Sequence, residues 1–74
     1  MQAGDLVIFM DEGTYAKWFY GQMGVIESTG YGKDGKLYLR VAWLQPVNYH
    51  GKMTLESNFC SDKFRICNET REDE

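Results

Sequence analysis

The chain has 74 residues, 11 acidic and 8 basic, with a net charge of −3 and a pI near 5.0. That length allows one domain with one small core, burying only about 60% of the surface the unfolded chain exposes. The acidic balance argues against a general nucleic-acid binder, whose affinity comes mainly from neutralising phosphates, and no apolar run approaches the roughly 18 residues of a membrane helix.

Gly4-Asp5 opens the chain as a turn. Leu6–Met10 is an apolar run too short for a buried helix, so it predicts a strand, ended by Asp11-Glu12-Gly13. Residues 14–22 form a long loop rich in rings: Tyr15, Trp18, Phe19 and Tyr20. Loops run over the surface and carry binding residues. The rings can fold back to cap one end of the core, or stay exposed as interface anchors. The two readings can share residues.

Met23 to Ser28 or Thr29 predicts the second strand. Gly21 and Gly24 bracket its start, where glycine permits a positive φ or close approach of another backbone. Residues 30–36 are a polar hairpin loop; it lacks the spacing and the following helix of a phosphate-binding loop. Leu37–Leu44 is the longest predicted strand. Leu37, Leu39, Val41 and Trp43 share the core parity; Tyr38, Arg40, Ala42 and Leu44 take the other face. Pro46 is expected to end it.

Val47–Tyr49 and Lys52–Leu55 flank a turn at Gly51. His50, the only histidine, has no evident partner for metal or nucleophilic chemistry and reads as a turn residue. Ser57–Lys63 predicts a single helical or 3-10 turn, capped by Ser57 or Asn58, with Phe59 pointing inward. Phe64–Ile66 predicts a short last strand that pairs with an early one. Asn68–Glu74 carries four acidic residues and one Arg and reads as a frayed tail.

The expected fold is therefore all-β: a small five-stranded SH3-like barrel with one short 3-10 turn over residues 1–67, then an acidic tail over 68–74. The expected core is Val7, Phe9, Val25, Leu39, Val41, Trp43 and Phe59. Cys60 and Cys67 are seven apart, which is not a zinc spacing, and read as reduced thiols. Met1–Asp5 has no signal-peptide pattern, so an intracellular, cytoplasmic protein is expected. A cysteine with His50 is the only thinkable nucleophile and base, and no spacing supports it. Adjacent acids such as Asp11-Glu12 read as solvated surface. The expectation is a non-enzyme without cofactor or metal.

The order of features resembles the PsaE family, the SH3-like barrel subunit on the electron-acceptor side of photosystem I. The likeness is carried by Gly4 before Leu6–Met10, the ring loop Tyr15/Trp18/Phe19/Tyr20, Gly24-Val25-Ile26, Tyr38 to Trp43, Val47-Asn48-Tyr49, and Ser57-Asn58-Phe59 with Asp62–Ile66. It implies a docking role beside ferredoxin on the stromal or cytoplasmic face of a thylakoid. The chain departs from the family at Tyr38-Leu39-Arg40, where the family has Tyr-Pro-Val, and at Ala42, where it has a docking Arg. A looser likeness, Gly4-Asp5 with Gly21-Gln22-Met23-Gly24-Val25-Ile26, is to KOW-type barrels and implies RNA or transcription-complex contact. Small phage-encoded proteins that bind a host complex are often single barrels of this size as well.

The favoured function is a non-catalytic protein-docking barrel, whose expected partner is a protein, alone or within a larger membrane or nucleoprotein complex. Its face is expected to comprise Tyr15, Lys17, Trp18, Phe19, Tyr20, Tyr38, Arg40, Asn48, Tyr49 and His50. The alternative is nucleic-acid binding by aromatic stacking. Insertion into a membrane is not expected.

Overall fold

Val7 and Phe9 alternate with Leu6 and Ile8, and a period of two gives a strand one buried face. That strand, β1 (Leu6–Phe9), buries Val7 and Phe9 completely. The computed structural model describes residues 1–67. It contains β1, a single helical turn α1 (Ala16–Phe19), β2 (Met23–Tyr31), β3 (Leu37–Tyr49), β4 (Lys52–Cys60), a 3-10 turn at Ser61–Lys63, and β5 (Phe64–Ile66). The strands form one antiparallel sheet in the order β4-β3-β2-β1-β5. The fold is all-β, as its alternating patterns predict. The expected tail, 68–74, lies outside the described residues.

The core comprises Val7, Phe9, Phe19, Ile26, Leu39, Val41, Trp43, Val47 and Phe64, with Phe59 partly buried against it. β5 pairs with β1, Phe9 opposite Phe64. The edge strands β4 and β5 share no backbone ladder among the described residues. The gap between them is filled by rings: Phe9 lies 5.0 Å from Phe59 and 5.4 Å from Phe64, both edge-to-face. The Met10 N–H also donates to the Lys63 carbonyl at 2.8 Å. The indole N–H of Trp43 donates to Ser57 Oγ at 3.1 Å, so the largest core side chain buries no unpaired donor.

Four details differ from the expectation. Pro46 does not end β3, which runs on to Tyr49. The β3–β4 register slips between Ala42 and Val47, so Pro46 lies where the ladder is already interrupted and its missing N–H breaks no bond. Residues 57–60 are strand, with Ser57 opposite Val41 and Phe59 opposite Leu39; only Ser61–Lys63 turns. Pairing with β3 outweighs the local capping signals, and no side chain caps the turn. Val25 is not in the core, because it lies opposite Ala42 on the outer side while Ile26 lies opposite Val41 and is buried. Residues 16–19, expected as loop, form a helical turn that buries Phe19.

Gly24 fixes the face that β2 presents. A Cβ on it would lie 2.4 Å from Val41 Cγ1 and 2.7 Å from the Ala42 carbonyl oxygen, and the backbone contact cannot yield cheaply. Gly24→Ala is expected to lower stability by about 1–3 kcal/mol, read as a lower denaturation midpoint at unchanged slope. Gly30→Ala, whose Cβ would meet nothing within 4 Å, is the control and should stay within about 0.5 kcal/mol.

Candidate functional site

The ring loop is tied down at both ends. The Phe19 and Trp18 amides donate to the Tyr15 carbonyl at 3.0 and 3.1 Å, closing the helical turn. Phe9 and the chain after α1 exchange two bonds, Gly21 N–H to Phe9 O at 2.8 Å and Phe9 N–H to Gln22 O at 2.9 Å. Gly21 reverses the chain there with φ +83°. Residues three and four apart share a helix face, so Tyr15, Trp18 and Phe19 point the same way. Phe19 stacks on Trp43 at 5.2 Å and anchors that face on the sheet.

The far end of the β3–β4 hairpin meets this face. Tyr49 pairs with Lys52, leaving a two-residue loop of His50 and Gly51 with φ of 54° and 80°. Two consecutive positive φ values are those of a type I′ turn. The Asn48 side-chain oxygen accepts the Gly51 N–H at 3.1 Å, so Asn48 builds the turn. Trp18 then sits edge-on to Tyr49 at 4.8 Å and 4.7 Å from His50, and Tyr49 lies 4.3 Å from His50. Tyr15 lies 6.2 Å from Tyr49 and 5.2 Å from Phe59. The Lys17 ammonium lies 4.8 Å above the Trp18 ring. Each such ring contact adds about 0.5–1.5 kcal/mol beyond area burial.

Of the expected docking residues, the structure brings together Tyr15, Lys17, Trp18, Tyr49 and His50, with Asn48 supporting them. Phe19 is corrected from the docking set to the core: it is 2% exposed and forms the floor under Tyr15, Tyr49 and Phe59. Tyr20 is exposed beyond α1 and has no ring neighbour among the described residues.

Tyr38 and Arg40 lie on the outer face of β3, and Arg40 does not join the rings. Its guanidinium holds Glu56 at 2.8 Å and approaches Glu27 at 3.6 Å. These exposed pairs stabilise by at most about 1 kcal/mol; their main effect is to neutralise Arg40. Glu27 and Glu56 were missed because they come from β2 and β4 and meet Arg40 only through sheet pairing. Phe59 was expected only as a core residue. It also walls a shallow groove with Tyr15 and Tyr49 along Thr54–Asn58 of β4, and parity with Ser57 was the available signal.

Among the described residues no group of three or more His, Cys, Asp and Glu is placed to hold a metal ion. No helix there is long and apolar enough to cross a membrane. Cys60 and Cys67 are free and partly buried. Comparison with protein-family models, curated proteins and solved structures gave no match.

The hairpin loop carries the clearest electrostatic coupling. The Lys36 backbone N–H and then the Tyr38 hydroxyl bond to Asp34, at 3.0 and 2.9 Å, and hold its carboxyl below the usual 3.8. The same bond raises the Tyr38 hydroxyl above 10.0. The fold thus favours ionised Asp34 and neutral Tyr38. The Asp34 contribution is present above its unfolded value and lost as pH falls through the lowered one. The Tyr38 contribution is present below its unfolded value and lost as pH rises through the raised one. An NMR titration should place the Asp34 carboxyl midpoint below 3.8. Tyr38→Phe should move it upward but not fully back, since the larger cause, the Lys36 N–H, remains.

Proposed function

We propose that the chain is a non-catalytic docking module whose protein partner sits on the ring surface of Tyr15, Trp18, Tyr49 and His50, with Lys17 at its edge. The observation that carries this reading is the convergence of two segments distant in sequence, α1 and the Asn48–Gly51 turn, into one half-exposed cluster of rings. Phe19 alone would seal this end of the core. Trp18 is only partly buried against it, and Tyr15 keeps 37% of its surface exposed. Rigid rings lose little entropy on binding and are the commonest interface anchors.

The strand order supports an SH3-like reading, and so does the long ring loop between β1 and β2. The likeness to PsaE supports a peripheral role in a larger complex, on the cytoplasmic or stromal side of a membrane. The docking would differ in kind, however. Ala42 stands where that family has an Arg, and Arg40 is held by two glutamates. Recognition by ring contact and shape fits these residues better than recognition by positive charge.

Trp18→Ala is expected to cost about 2 kcal/mol or more of partner affinity, roughly thirtyfold, as a central ring anchor does. A capture experiment with wild-type and variant chains, each with its far-UV spectrum checked, reads this directly. Leu44→Ala, outside the ring surface, should keep the same partners. Retention of every partner by a folded Trp18→Ala chain would sink the proposal. Binding to single-stranded RNA that falls steeply with salt would replace it with a stacking nucleic-acid barrel.

A further inference from the structure

β4 is the last strand on its side of the sheet, and among the described residues its outer edge receives no backbone hydrogen bond. It is nine residues long and holds no proline. Unpaired N–H and C=O groups along such an edge template another extended chain. The opposite edge strand, β5, has only three residues.

This edge adjoins the ring surface. A shallow groove of about 470 Å³ runs along Thr54–Asn58, walled by Tyr15, Tyr49 and Phe59. Its size lies within the roughly 300–1,000 Å³ of small-ligand sites. The β3–β4 register decides which β4 side chains share the ring side. Lys52 and Thr54 lie opposite Tyr49 and Val47, and Ser57 and Phe59 lie opposite Val41 and Leu39, so these four do. Glu56, opposite Ala42, takes the outer side, and the parity of β4 changes between Thr54 and Glu56.

Two cations stand at the Tyr49 end. Lys52 faces Tyr49 across the ladder, and Lys17 lies over Trp18, which meets Tyr49 edge-on. Neither lysine has an ion-pair partner among the described residues. Glu56, further along β4, is held by Arg40. The Tyr49 end of the edge therefore carries positive charge that no described acid pairs.

We propose that an extended segment of a protein partner adds to β4 as a further antiparallel strand, with an apolar residue beside Thr54 and an acidic residue two positions later beside Lys52. This rests on the docking reading and names the shape and chemistry of its partner. Paired residues of neighbouring strands share a face, so the residue beside Thr54 enters the groove against the rings and the next but one meets the lysine. Antiparallel pairing matches every other neighbour in the sheet and is the more stable per residue. Main-chain bonds supply affinity, while the groove and Lys52 set the order of residues. The motif is read against Lys52–Thr54 alone, on one side of the parity change.

The test adds the peptide Thr-Thr-Phe-Thr-Glu-Thr-Thr to the isotope-labelled full chain and follows its backbone amides by NMR. The amides of residues 52–58 should shift together and exchange more slowly with solvent. Of two peptides N-methylated at alternate positions, one should lose binding and the other keep it, since only alternate N–H groups face β4. Exchanging the phenylalanine and the glutamate should weaken binding about tenfold, and so should Lys52→Glu with the parent peptide. A lysine in place of the peptide's glutamate should restore binding to the Lys52→Glu chain. Unmoved β4 amides at millimolar peptide would overturn the proposal, as would equal binding of both methylated peptides or of both charge forms by a folded Lys52→Glu chain. If Trp18→Ala loses its captured partner while the peptide leaves β4 unmoved, strand addition falls and the docking surface stands.

Discussion

Phe9 is the side chain on which the rest of the structure depends. It is fully buried on β1 and touches rings from three other parts of the chain: Phe19 of α1 at 5.9 Å, Phe59 of β4 at 5.0 Å and Phe64 of β5 at 5.4 Å. A five-stranded sheet has two edges, and here no described backbone ladder joins them. The rings around Phe9 hold the two ends of the sheet together instead. Dispersion and apolar burial thus do what hydrogen bonds do in a closed ladder, and they do it without fixing a strand register. Phe19 belongs to this cluster, so the loop between β1 and β2 is part of the core. The helical turn that inserts Phe19 also sets Tyr15 and Trp18 against Tyr49 and His50. Core sealing and the candidate docking surface are two faces of one local structure.

Much of this was legible from alternation. In β3, four apolar residues at odd positions, Leu37 to Trp43, leave one choice of face, and the structure takes it. β2 was ambiguous because Val25 and Ile26 are both β-branched and adjacent, so either parity offers a good core residue. The tie is broken by Gly24, whose close approach to Ala42 is a contact across strands and has no local pattern. Pro46 and the Ser57–Asn58 pair misled for a related reason. Rules for proline and for helix caps describe local backbone preference, and pairing with a neighbouring strand changes what that preference costs. The register slip frees Pro46, and β3 claims residues 57–60 for β4. Arg40 was legible as an outer-face residue but not as a neutralised one.

Within the candidate site, the ring-rich loop and the Val47-Asn48-Tyr49 segment were both visible, but their meeting was not. The structure gives each residue of that segment a separate mechanical task. Val47 fills the core, Asn48 holds the turn by accepting the Gly51 N–H, and Tyr49 stands among the rings. A segment so fully occupied in building a tight hairpin is a weak marker of what the hairpin binds. The more telling residues are Trp18 and His50, which pack on each other and on Tyr49; Trp18 is only partly buried against the core and His50 is exposed.

Charge adds a last constraint on the kind of partner the proposed docking surface would take. Residues 1–67 contain seven acidic and seven basic side chains, so the net −3 of the chain belongs to residues 68–74. The acidic pI is therefore not a property of the folded sheet. Long-range steering by the sheet itself is weak, since steering requires a summed field of one sign. Arg40 is paired with two glutamates, and Lys17 lies over Trp18. A docking surface as proposed here would select by contact at short range, where ring geometry and exclusion of water decide affinity. That is the regime in which a small domain with a rigid aromatic cluster works without any large charged patch.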